Sequence, residues 1–150
     1  MSDRKTFMFL RFFTAFCLAI TFSITVFVAW TAGPYVEKWA FGPVVSKLRI
    51  LSFEVTPDGN TKLAAEFTKL RDCEYVGIAW FRRYDAGFER IAVELMRAAG
   101  DTSSPNRPLG TQRAGPWVVH LTPDDIRTNS FAQLRHKCHG LWITTTEFYP

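Results

Sequence analysis

The sequence lacks the marks of most named chemistries. It has no CxxC pair, no Gly-rich phosphate loop and no dinucleotide-binding fingerprint, which removes the usual zinc-ribbon, nucleotide-phosphate and nicotinamide readings. It has only three histidines and no N-x-Ser/Thr acceptor for glycans. Basic residues exceed acidic ones by 18 to 14, but no dense basic stripe gathers them, so nucleic acid is not an expected partner. The most informative absence is local. No charged residue stands between Arg11 and Glu37.

That uncharged interval contains Phe12 to Ala32, FFTAFCLAITFSITVFVAWTA. About twenty apolar residues at helical rise cross a hydrocarbon core of about 30 Å. The chain therefore divides into a short cytoplasmic tail (1–11), a transmembrane signal-anchor helix (12–32), a juxtamembrane linker (33–47) and an extracytoplasmic domain (48–150). Trp30 and Pro34 spoil the best registers of a small-x-small cleavage site, which favours an uncleaved anchor over a removed signal peptide. Asp3, Arg4, Lys5 and Arg11 sum to +2 before the helix. Lys38 is offset by Glu37 beyond it, so the N terminus is expected in the cytoplasm and the domain outside. The localisation that follows is the inner (cell) membrane, single-pass, with a periplasmic or extracellular domain.

Within the helix, Ala15, Ala19 and Ser23 repeat every four residues. A small-xxx-small stripe is a helix-packing face, against the plain alternative of ordinary small residues in a lone helix. Trp30, Tyr35 and Trp39 stand at the far end, where amphipathic rings settle at the headgroup level. The Gly-Pro steps at 33–34 and 42–43 predict a helix end followed by an interfacial turn.

The remaining 100 or so residues suffice for one domain. Alternation predicts seven strands: 48–56, 61–70, 74–84, 90–96, 117–121, 131–138 and 141–148. Pro57-Asp58-Gly59-Asn60 reads as the tight turn of a hairpin. Residues 99–116 read as a long loop, and Thr122 to Asp125 as a turn or one helical turn with Thr122 as N-cap. The expected inward faces are Leu51, Phe53 and Val55; Leu63, Ala65 and Phe67; Val76, Ile78 and Trp80; Ile91, Val93 and Leu95; and Ala132, Leu134, His136 and Cys138. An antiparallel two-sheet sandwich fits this pattern. It is similar in outline to immunoglobulin-like domains, a resemblance of architecture that carries no function. In that fold a Trp packs on a disulfide linking the sheets. Here Trp80 follows Cys73 by only seven residues, so a Cys73–Cys138 bond would staple an end of the sandwich.

Cys73 and Cys138 are the expected disulfide of an exported domain. Cys17 is an apolar filler of the helix. His136-Lys137-Cys138-His139 contains zinc-type ligands, but a disulfide at Cys138 removes one, and no second cluster exists; no metal and no cofactor are expected. His120 with Asp124 or Asp125 offers two parts of a hydrolytic triad without an evident nucleophile, and an enzyme is not expected. Arg82 to Arg90, RRYDAGFER, reads as a contact for acidic groups or as a solvated hairpin end. The expected function is docking: an accessory or structural subunit of a membrane or envelope assembly. Its partners are the bilayer, other membrane or envelope proteins, or a second copy of the chain. The alternative is a membrane-tethered ligand- or glycan-binding module, with the 99–116 loop as its grip.

Overall fold

A computed structural model describes residues 2–97, 100–102 and 104–150, with side chains from Phe7 onward. The chain begins with helix α1, Ser2–Phe41. It is long and apolar enough to cross a membrane, and its apolar side chains are exposed along the whole span; Phe9 and Phe22 are each 72% exposed. Among the described residues eight strands follow: β1 Arg49–Val55, β2 Thr61–Lys69, β3 Glu74–Tyr84, β4 Gly87–Ile91, β5 Val93–Leu95, β6 Gly110–Val119, β7 Ser130–Lys137 and β8 Thr144–Tyr149. A short helix, α2 Pro123–Asn129, precedes β7.

The strands form two four-stranded antiparallel sheets, in the orders β1-β2-β6-β5 and β4-β3-β7-β8. Successive hairpins alternate between the sheets, which places β2 and β6 inside one and β3 and β7 inside the other. The core lies between them, around Leu63, Trp80, Val119, Ala132 and Phe148. Trp80 is fully buried, and its indole N–H donates to Ser130 Oγ at 2.9 Å. That bond meets the need of a buried polar tip. Ser130 in turn donates to the Ile126 carbonyl, tying β7 to α2.

The expected alternation is interrupted by two bulges. Leu51 falls at a register shift between Ile50 and Ser52, so Ile50 and Phe53 pack on the core while Leu51 is 48% exposed. Val76 falls at another, between Tyr75 and Gly77; Tyr75 turns inward in its place and Val76 outward. An extra residue reverses side-chain parity beyond it. Val55 and Leu95, at strand ends, are exposed as well. The inward faces of β2 and β7 are as expected, with Leu63, Ala65, Ala132, Leu134 and His136 all buried.

The expected strand 90–96 divides at Ala92. Its first half pairs with β3 in one sheet and its second half with β6 in the other. Residues 99 and 103 of the expected 99–116 loop lie outside the described residues, and its last seven residues, 110–116, are strand, because β6 begins at Gly110 and pairs along β2 from Lys69 to Thr61. Thr122 caps α2, accepting from the Asp125 N–H at 3.2 Å.

The juxtamembrane expectation is corrected. The helix does not stop at Gly33-Pro34 but continues to Phe41. It ends at the second Gly-Pro step, where Gly42 adopts φ +69° and its N–H bonds the Lys38 carbonyl. A left-handed residue there favours glycine. The following residues are not a free linker: Val44 and Val45 are buried, and the Val44 carbonyl accepts from Leu70 and Arg71.

Candidate functional site

The end of α1 lies against the sandwich through two residues one helical turn apart. Gly33 faces Trp142 so closely that a Cβ on it would stand 2.5 Å from the indole ring. Glu37 is 4% exposed and accepts four side-chain hydrogen bonds. Oε1 accepts from Arg71 at 2.7 Å. Oε2 accepts from Trp142 at 2.7 Å, from Thr144 at 2.7 Å and from His139 Nε2 at 3.2 Å. His139 Nδ1 accepts from the Leu141 N–H at 3.2 Å. Nε2 is therefore the nitrogen that carries the proton in the neutral ring, and it donates to the carboxylate. His139 also packs edge-on against Trp142, with ring centroids 4.1 Å apart.

These contacts explain why the helix runs through Pro34. A proline inside a helix forfeits a hydrogen bond and costs about 3 kcal/mol. Gly33 before it and Glu37 after it both lie on the sandwich-facing side, and their contacts offset that cost. Tyr35 and Trp39 point away, 77% and 88% exposed. In the sequence Glu37 stood out only as a charge flanking the helix. The available signal was a lone carboxylate in an aromatic-rich stretch with only Lys38 beside it, and a carboxylate is expensive to bury unless cationic and N–H donors meet it. Those donors come from positions 71, 139, 142 and 144, and only folding brings them together.

The other residues singled out fall as follows. Cys73 and Cys138 form a disulfide that joins the residue before β3 to the residue after β7, at one end of a sheet. Ala15, Ala19 and Ser23 lie exposed on α1, and the Ser23 hydroxyl donates to the Ala19 carbonyl at 2.9 Å. Trp30 is 61% exposed. Cys17 is a free, exposed thiol. The HKCH run is dispersed: His136 enters the core, Cys138 is in the disulfide and His139 serves Glu37. Among the described residues no three His, Cys, Asp or Glu side chains gather as a metal site. His120 is not brought to Asp124 or Asp125. Its Nε2 lies 3.1 Å from Glu94, while Asp125 pairs with Arg82 and Asp124 with Arg127.

A second feature lies between the sheets. A cavity of about 190 Å³ is walled by the rings of Phe67, Tyr75, Trp117 and Phe148, and Lys69 and His136 also line it. His136 is 3% exposed, and its Nδ1 has no hydrogen-bond partner among the described residues. Burial, aided by the Lys69 charge, lowers its pKa from 6.5 to about 4.

The fold and the junction define a class: an apolar N-terminal helix joined through a buried carboxylate to a two-sheet antiparallel sandwich. Comparison with protein-family models, with curated proteins and with solved structures finds no match to this chain.

Proposed function

We propose that the chain is a single-pass membrane-anchored binding protein, an accessory or structural subunit of a membrane or envelope assembly. Its N terminus is cytoplasmic, and its sandwich stands on the outer side of the inner (cell) membrane. The observation that carries this reading is the Glu37 junction. A domain that merely needed a tether would require no buried carboxylate with four donors at the root of its helix. Holding the sandwich against the helix end gives both a defined orientation to partners in the same membrane. Confinement to the bilayer raises their effective concentration.

Two surfaces suit docking. One is the Ala15, Ala19 and Ser23 face of α1. The other is an aromatic cluster where Phe81, Phe88 and Phe131 meet at centroid distances of 4.9 to 5.7 Å. Phe88 is 66% exposed, and Arg83 lies over the Phe131 ring. Exposed aromatics with arginine are typical of interface centres. The immunoglobulin-like outline is part of the same proposal. Lettering the strands A, B, C, C′, D, E, F, G in chain order gives the sheets A-B-E-D and C′-C-F-G, with Trp80 buried on strand C. A second reading, a membrane-tethered ligand-binding module, is favoured by the cavity between the sheets.

The test is to cross-link native membranes, extract a C-terminally tagged copy in mild detergent and quantify what travels with it. The expected result is a defined set of membrane proteins at fixed ratio, released by Ala15→Leu with Ala19→Leu or by Phe88→Asp. Recovery of the chain alone, or partners indifferent to all these variants, overturns the docking reading.

A further inference from the structure

The cavity between the sheets has a charge pattern of one sign. Among the described residues its lining contains Lys69, Arg97, Arg107, Arg113 and His136, and no aspartate or glutamate. These residues lie at two depths. Lys69 and His136 are buried, together with Val45, Leu134 and Phe148, while Arg97 and Arg113 are exposed at the mouth. Arg107 is held by Asp101 at 3.1 Å.

The two inner polar groups are incompletely matched by the protein. The Lys69 side chain is 3% exposed. Its Nζ donates to the Cys73 carbonyl at 2.9 Å, and Asp72, its nearest ion-pair partner, is 4.0 Å away and itself 91% exposed. An ammonium has three donors, and a buried charge is costly unless a counter-charge and acceptors meet it. His136 also lines the cavity, and its buried Nδ1 has no partner among the described residues. The rest of the wall is aromatic or aliphatic. Such a site, mostly apolar with a few convergent polar groups, has the usual composition of a small-molecule pocket.

Size narrows the ligand. An apolar cavity of about 150 Å³ holds a benzene ring. This one, at about 190 Å³, has room for a ring and a small polar group but not for a long acyl chain.

We propose that this cavity is a binding site for a small organic carboxylate with an apolar body about the size of a benzene ring. The body lies among Phe67, Tyr75, Trp117 and Phe148. The carboxylate accepts from Lys69 Nζ and from His136, and Arg97 and Arg113 draw the anion toward the mouth. The inference goes beyond docking and gives the ligand-binding reading its ligand class. Its test uses the purified chain alone, so failure of the partner experiment leaves it untouched.

The probes are benzoate, its neutral counterpart benzamide, and the cation benzylamine, added to the full chain in nanodiscs. Calorimetry measures affinity, and NMR locates the perturbed resonances. The expected result is saturable one-to-one binding of benzoate with shifts at His136 and Trp117. Benzamide should be weaker by about tenfold or more, as expected for loss of a charge-assisted bond, and benzylamine should not bind. Lys69→Met should lower benzoate affinity about tenfold and leave benzamide affinity unchanged. Should that variant fail to fold, Ala114→Met keeps every charge, fills the buried wall and should abolish binding of both. Absence of saturable benzoate binding, equal affinity for benzamide, or shifts confined to residues outside the cavity overturns the proposal.

Discussion

His136 illustrates how one buried side chain couples the core to pH. In the unfolded chain the imidazole takes a proton near pH 6.5, whereas in the folded sandwich it does so only near about 4. Burial is the larger cause, and the charge of Lys69 acts in the same direction. Between those two values the unfolded state binds more protons. Stability is therefore complete above pH 6.5 and falls as the pH drops toward 4, by up to about 3 kcal/mol. Chemical denaturation at pH 7 and pH 4 measures the loss. His136→Gln should remove most of it, and NMR titration of the ring should give a midpoint well below that of a free histidine.

At the scale of elements, the sandwich depends on what joins β3 to β7. These are the inner strands of one sheet, and the Cys73–Cys138 bond continues their pairing beyond Glu74 and Lys137. The bond closes a large loop of the unfolded chain. Replacing both cysteines by serine should cost about 2–5 kcal/mol, read as a lower denaturant midpoint with a steeper slope, because the uncrosslinked unfolded chain is more expanded. Non-reducing peptide mapping of native membranes should recover the linked pair; two free thiols would contradict the export reading. The elements also mark how far alternation could be read. β3 runs over the expected residues 74–84, and the hairpin of β1 and β2 turns at the expected PDGN. The bulges at Leu51 and Val76 were not legible, because a bulge is a matter of pairing between strands and leaves no reliable mark in one strand's own residues. The same holds for Ala92, which looked like the middle of one strand. The change of partner from β3 to β6 is set by the two sheets and not by local propensity.

For the whole molecule, the question is whether helix and sandwich act as one unit. Removing the Glu37 carboxylate would leave Arg71, Trp142, Thr144 and His139 without their common acceptor. Breaking such a buried pair typically costs about 3–5 kcal/mol, and here the cost falls on docking of the helix against the sandwich. Glu37→Ala should leave the cooperative unfolding of the sandwich intact. It should also broaden the distance distribution between spin labels on the helix end and on β8. An unchanged narrow distribution would mean that the packing at Gly33 and Trp142 suffices without the carboxylate.

The sequence by itself determined that one end of this chain is an apolar helix and the rest a β-rich domain with two cysteines placed to pair. Length without charge, alternation of period two and the number of cysteines are local properties, and each has a direct physical reading. Tertiary structure alone decided what those parts do to one another. It carried the helix through Pro34, because contacts at Gly33 and Glu37 outweigh one lost hydrogen bond. It also gathered the donors around Glu37, and Lys69 and His136 around one cavity, from residues far apart in the chain. A buried charge can be placed only by knowing what surrounds it, and that is a property of the packed chain.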